Sequence, residues 1–177
     1  MQFKTVDIVK HPIDKVWASF RDELPQLVEW LDDVESITTQ SRRETGRRCH
    51  IVNRWQVHPN LPAAIMKHVR PEMTAWMDCA DWDETRRECR WTIEFDYFRD
   101  AISCSGTTRF APAMGGRGTR ITLVGEAHWS AETAVKIPGL LDQAVSRTLE
   151  PLLRNLLAAN ARKISTALAT YLDGRQE

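Results

Sequence analysis

The groups in this 177-residue chain with chemical potential are five histidines, four cysteines and two aspartates that share one strand-like segment. The histidines (His11, His50, His58, His68 and His128) include no i, i+4 pair and no HExxH, the spacing that sets two imidazoles on one helix face for a metal. His50, His58 and His128 fall on outward strand positions, which speaks against a metal cluster. Cys49, Cys79, Cys89 and Cys104 lie far apart, with no CxxC and no Cys/His pair at metal spacing. All four sit in strand-like segments, where a free cysteine behaves as a small buried apolar residue. No GxSxG or comparable nucleophile setting occurs. Asp78 and Asp81 lie in 73–83, whose inward face the pattern leaves open, because Trp76 and Trp82 stand on one side and Met73, Met77 and Cys79 on the other. If Asp78 points inward, burial raises its pKa and it can act as a general base. No catalytic set, metal site or cofactor is expected from these patterns.

Composition bounds what can position such groups. The length fits one domain, 1–177, and a chain of this size removes roughly 70% of its unfolded surface from water. The 24 basic and 24 acidic side chains cancel, so no global field draws in nucleic acid. Met1-Gln2-Phe3-Lys4 does not open a signal peptide, and no run approaches the roughly 18 apolar residues of a membrane span, so a reduced cytoplasmic protein is expected.

Along the chain, Phe3–Lys10 reads as a strand ending at His11-Pro12, where proline presets a first helical turn. Ile13, Val16, Trp17 and Phe20 form an amphipathic stripe, and Leu24, Leu27, Val28 and Leu31 repeat the spacing after Pro25, giving two short helices. From Val34 the period becomes two: a strand to about Thr45, a turn at Gly46, and a strand Arg47–His58 that sends Cys49, Ile51, Asn53, Trp55 and Val57 one way. Asn60 as N-cap and Pro62 in the first turn favour a short inserted helix near 60–69, with a strand as the competing reading. Three hairpin-linked segments follow: Met73–Asp83, Glu88–Tyr97 with Cys89, Trp91, Ile93, Phe95 and Tyr97 inward, and Ala101–Pro112 with Ile102, Cys104, Gly106, Thr108 and Phe110 on one face. The last strand turns Ile121, Leu123, Gly125, Ala127 and Trp129 inward. One wet and one apolar face is the mark of an antiparallel sheet covered on one side.

The cover is a long helix. Ile137, Leu141, Val145, Leu149, Leu152, Leu156, Ile164, Leu168 and Tyr171 make one stripe over about ten turns, with Gly174 placed as a C-terminal cap and Pro151 expected to kink it. Together the faces propose an apolar pocket wall of Ile51, Asn53, Trp55, Trp91, Ile93, Phe95, Thr108, Phe110, Ile121 and Leu123, met from the helix by Leu141, Val145, Leu149 and Leu153. Asn53 and Thr108 are its polar exceptions; a neighbouring side chain, a water or a ligand must satisfy Asn53. Gly106 and Gly125 mark a bend or a close approach.

In a meander alternate turns share one end, so Arg42, Arg43, Arg47, Arg48, Arg86, Arg87, Arg117 and Arg120 gather on one rim. Arginine forks suit phosphate, so an anionic head group or peripheral membrane surface is one reading. Solvated pairs with Glu44, Glu84 and Glu88 are the plainer one. Gly115-Gly116-Arg117-Gly118 joins two strands and lacks the Lys-Ser/Thr ending of a phosphate loop, so it reads as a hairpin turn.

The order strand, two short helices, six strands, long helix, with His11-Pro12-Ile13-Asp14-Lys15-Val16-Trp17 opening the first helix and Gly116-Arg117-Gly118-Thr119-Arg120 opening the last strand, resembles the START-like helix-grip superfamily (SRPBCC). Its members include the birch-pollen-allergen type, polyketide cyclases and lipid-transfer domains, and the likeness spans essentially the whole chain. The resemblance implies an α+β helix-grip fold, a curved seven-stranded antiparallel sheet around the kinked C-terminal helix, with an elongated hydrophobic small-molecule or lipid site between them. It implies no shared catalytic set. Binding or transport of a hydrophobic ligand is therefore the leading expectation. The alternatives are a small cyclase or hydrolase acting on a bulky aromatic or polyketide-like substrate, and a co-chaperone-like interaction domain.

Overall fold

The computed structural model describes residues 1–58, 70–97, 99–100, 102–130 and 161–175. The two-residue periodicity becomes seven strands: β1 (Gln2–Val9), β2 (Val34–Thr45), β3 (Arg48–Val57), β4 (Ala75–Asp83), β5 (Glu88–Phe95), β6 (Ile102–Ala113) and β7 (Gly118–Trp129). They form one curved antiparallel sheet in the order β1-β7-β6-β5-β4-β3-β2. β2 to β7 is therefore a meander, while β1 pairs with β7 at the far edge. The chain must cross from one edge to the other between β1 and β2.

That crossing is made by α1 (Ile13–Asp22) and a 3-10 segment, Leu24–Trp30. Pro12 precedes the first turn, Asp14 lies in it and Arg21 lies in the last, so side-chain charge complements the helix dipole at both ends. The second short helix expected from the sequence is 3-10 rather than α, with Pro25 in its first turn and a length of seven residues. Such a short run is ordinary for the tighter helix. α1 buries Val16 and Trp17. Trp17 stands edge-on to Trp82 and Phe110, with ring centroids 5.1 and 5.2 Å away. Phe20 meets Phe110 at 5.5 Å. α1 thus covers the end of the sheet where the turns after β2, β4 and β6 lie.

The last helix is described from its final turns, α2 (161–173). Leu168, Tyr171 and Leu172 are buried on it, as the apolar stripe requires. The Gly174 N–H donates to the Thr170 carbonyl at 3.1 Å, as a C-terminal cap would. Polar contacts tie α2 to the crossing segment: Tyr171 donates to Gln26, Arg175 pairs with Glu23 at 2.7 Å, and Lys163 with Asp33 at 2.6 Å. The buried His11 lies with Nε2 2.8 Å from Asp173 Oδ1, and its carbonyl accepts from Thr119 at 2.8 Å. The inserted helix near 60–69, the kink at Pro151, and Leu141, Val145, Leu149 and Leu153 lie outside the described residues. No helix among the described residues is long and apolar enough to cross a membrane.

Candidate functional site

The register turns each inward strand face into rows that run across the sheet. One row is Trp55–Trp76–Phe95 and the next Asn53–Asp78–Ile93–Cys104–Ala127. Then come Ile51–Ala80–Trp91–Gly106–Gly125–Phe3 and Cys49–Trp82–Cys89–Thr108–Leu123–Thr5. The sequence left the inward face of β4 open; the structure assigns it to Trp76, Asp78, Ala80 and Trp82. Parity explains the assignment. Asp83 pairs with Glu88 around the 84–87 turn, so inward odd positions on β5 face even positions on β4.

The two ends of this concave face differ. Towards α1 lie Cys49, Ile51, Trp82, Cys89, Phe110 and Ile121, all buried and packed into one cluster with Val16, Trp17 and Leu27. Ile51, Phe110 and Ile121, expected in the pocket wall, are buried in this cluster, with the α1 rings of Trp17 and Phe20 laid over Phe110. Away from α1, Trp76, Asp78, Ile93 and Phe95 are only half-buried although their rows point inward, as are Trp91 and Leu123 in the rows of Ile51 and Trp82. Trp55 is buried and stacks on Trp76, with centroids 5.9 Å apart and planes 14° from parallel. Trp76 in turn meets Phe95 at 6.0 Å. Among the described residues this aromatic wall is therefore only partly buried.

The glycines belong to this wall. A Cβ on Gly106 would collide with the Trp91 ring and the Val124 carbonyl, and one on Gly125 with the Phe3 ring. Their role is close approach: two aromatic rings lie flat against backbone that only glycine leaves bare.

The polar residues resolve into satisfied and unsatisfied sets. Thr39 donates to Asn53 Oδ1 at 2.8 Å, and Trp91 Nε1 donates to Thr108 Oγ1 at 3.1 Å. Both polar exceptions seen in the sequence thus have a side-chain partner. Asp78 does not: its carboxyl makes no formed hydrogen bond among the described residues. Burial pushes its pKa up from 3.8 to about 7, and the Trp55 indole N–H nearby offsets only part of that. That N–H does not reach hydrogen-bond geometry and is itself a buried donor without a partner. Asp7, opposite Ile121 on the same face, also buries one unpartnered carboxylate oxygen, Oδ2. Sequence reading missed Asp7; the alternation Phe3, Thr5, Asp7, Val9 carried the signal.

The remaining chemistry is quiet. Cys49, Cys89 and Cys104 are buried and free, and burial raises the Cys89 thiol well above its ordinary value and Cys104 to about 11. His50 pairs with Asp81 at 2.7 Å and His58 with Glu35 at 3.1 Å, both at the surface. Among the described residues no group of three metal-ligating side chains assembles.

The arginine rim lies at the α1 end, away from the half-buried wall. Arg42 pairs with Asp22 and Glu44, Arg47 with Glu84, and Arg48 and Arg86 with Asp83. Arg87 pairs with Asp14 and lies over the Trp17 ring at 5.3 Å. Arg117 donates to the Met114 carbonyl, while Arg43 and Arg120 are exposed. Glu88, expected to pair with rim arginines, is instead held by Arg109 and Arg90, which keeps its carboxyl below the usual range. A recess of about 360 Å³ opens among Arg47, Arg48, Asp83 and Arg86. A second of about 360 Å³ sits mainly on the convex face, between Arg90, Thr107 and Glu126. The second also borders Trp91, Gly106 and Gly125 of the wall; the first lies away from it.

Comparison with known proteins places these features. A family model described as polyketide cyclase/dehydrase and lipid transport matches residues 2–172. No curated protein sequence matches the chain. Among solved structures, a protein from Thermus thermophilus superposes with a TM-score of 0.71 at 19% identity, covering 100% of both chains. The Zhui aromatase/cyclase from Streptomyces gives 0.67 at 15% identity over 100% of this chain and 96% of that one. Norcoclaurine synthase from Thalictrum flavum gives 0.62 at 14% identity over 97% and 86%. At these identities the likeness is one of fold, the helix-grip α+β architecture.

Proposed function

The chain belongs to the polyketide cyclase/dehydrase and lipid transport family, and from that premise we propose that the half-buried part of its concave face binds a hydrophobic small molecule or lipid. One observation carries the reading: Trp76, Ile93 and Phe95 point inward yet stay half-buried, while Cys49, Ile51, Trp82, Phe110 and Ile121 at the α1 end pack into the core. A wall of stacked aromatics with few polar groups is the usual lining of a small-molecule site. The rim lies at the other end, where Arg42, Arg47, Arg48, Arg86 and Arg87 are paired with carboxylates.

The test is native mass spectrometry after gentle purification, joined to titration with the apolar fluorophore N-phenylnaphthylamine. A bound apolar mass, or saturable fluorescence that Phe95→Ala weakens, is expected. A bare protein that also ignores the fluorophore overturns the reading.

Asp78 favours a second reading, a small cyclase or hydrolase acting on a bulky aromatic or polyketide-like substrate. A carboxyl titrating near neutrality on an apolar face suits general acid–base work. Turnover of such a substrate that Asp78→Asn abolishes, with fluorophore binding intact, would decide for it.

A further inference from the structure

Two polar groups on the aromatic wall, the Trp55 indole N–H and the Asp78 carboxyl, stand on neighbouring rows, close enough to interact but without a formed hydrogen bond. Asn53 pairs with Asp78 and Trp55 with Trp76 across the β3–β4 ladder, so Trp55 and Asp78 are diagonal neighbours on one face. Trp55 is 6% exposed and its Nε1 donor has no acceptor. Burying an amide- or indole-type donor without a partner costs about 1–3 kcal/mol, and native folds rarely leave such a group idle. Asp78 is the acceptor beside it, near enough for the indole N–H to hold its pKa down in part. By contrast, Asn53 and Thr108 are closed by Thr39 and Trp91, and the unpartnered Asp7 Oδ2 lies at the α1 end, away from this wall.

We infer that the Trp55 indole N–H and the Asp78 carboxyl form the polar recognition point of the concave site, selecting apolar ligands that carry a hydroxyl. A hydroxyl is the smallest group that answers both: its oxygen accepts from the indole N–H while its proton is donated to the carboxylate. An ether keeps the acceptor and loses the donor, and a bare hydrocarbon loses both. The flat Trp55–Trp76 stack beside this point suits an aromatic body for the hydroxyl. The elevated acidity constant of Asp78 agrees with a carboxyl that the protein itself leaves unsolvated. This inference rests on the proposal that the concave face binds apolar ligands, and adds what that ligand must carry.

The experiment measures naphthol, methoxynaphthalene and N-phenylnaphthylamine against wild type, Asp78→Leu and Trp55→Phe. Wild type should hold naphthol about ten-fold or more tighter than methoxynaphthalene, the discrimination a charge-assisted hydrogen bond supplies. Asp78→Leu should erase that margin, and Trp55→Phe, which keeps a ring in place, should shrink it. A naphthol margin that survives both substitutions, or is absent from a wild type that binds the fluorophore, overturns this inference alone. A wild type that binds no fluorophore overturns the underlying ligand site as well.

Discussion

The two ends of the concave face are built from the same strands and alternation, yet one is a core and the other is a wall. At the α1 end, Trp17 and Phe20 bring rings down onto Trp82 and Phe110, and Cys49, Ile51, Trp82, Cys89, Phe110 and Ile121 are all buried. At the other end Trp76, Ile93 and Phe95 show equally apolar faces and are only half-buried. The difference teaches that inward alternation fixes which side chains face the interior. What is laid over them decides whether they become packing or lining.

Substitutions at the two ends should separate these roles. The largest effect belongs to the sealed end: Trp82→Ala empties a site between Trp17, Phe20 and Phe110 and should cost about 3–5 kcal/mol in denaturant unfolding. A loss under about 1 kcal/mol would mean that end is not a core.

Next comes Asp78 at the open end. Its folded pKa lies above the ordinary 3.8, so between that value and about 7 the folded state holds more proton than the unfolded state. The stability tied to this group is complete below 3.8 and is lost as pH rises through about 7. At about 1.4 kcal/mol per unit, the loss above pH 7 is on the order of 4 kcal/mol as an upper figure. Asp78→Asn should therefore gain stability relative to wild type as pH rises from 4 to 8, read from denaturant midpoints across that range. A pH-independent difference would mean that the carboxyl is solvated.

Gly106→Ala and Gly125→Ala test the flat-lying rings. Each forces a methyl into an occupied position, for about 1–3 kcal/mol. Gly106→Ala should cost more, because it also meets the Val124 backbone carbonyl while Gly125→Ala meets only the Phe3 ring. Equal and negligible shifts in thermal midpoint would remove the close-approach explanation.

The smallest effect belongs to the rim. Arg48 is mostly exposed, and its contact with Asp83 spans 3.7 Å. Arg48→Ala should change stability by under about 1 kcal/mol and leave fluorophore affinity unchanged. A marked loss of affinity would return the rim to the site.

Much of this was legible in the chain. Alternation in β3 and β5 is clean because one side is wet, so Ile51, Asn53, Trp55, Trp91, Ile93 and Phe95 could be oriented by residue type. β4 resisted because both its sides are apolar: Met77 and Cys79 are half-buried on the convex side opposite Trp76 and Trp82. Only the hairpin parity through Asp83 and Glu88 settles it, and with it the position of Asp78. The split between core and lining was not legible, since it depends on where the crossing connection lays Trp17 and Phe20. The rim was legible as a place but not as chemistry. Turn positions follow from the meander, whereas the carboxylates that neutralise Arg42 and Arg87 come from Asp22 and Asp14 on α1.

The most direct measurement is the affinity of N-phenylnaphthylamine for Ile93→Lys beside Arg86→Glu, both expected to fold because Ile93 is half-buried and Arg86 exposed. A charge placed in the wall should weaken binding about ten-fold or more, while charge reversal on the rim should leave it within about two-fold. Unchanged affinity in Ile93→Lys, with loss in Arg86→Glu, would contradict a ligand site on the open end of the concave face.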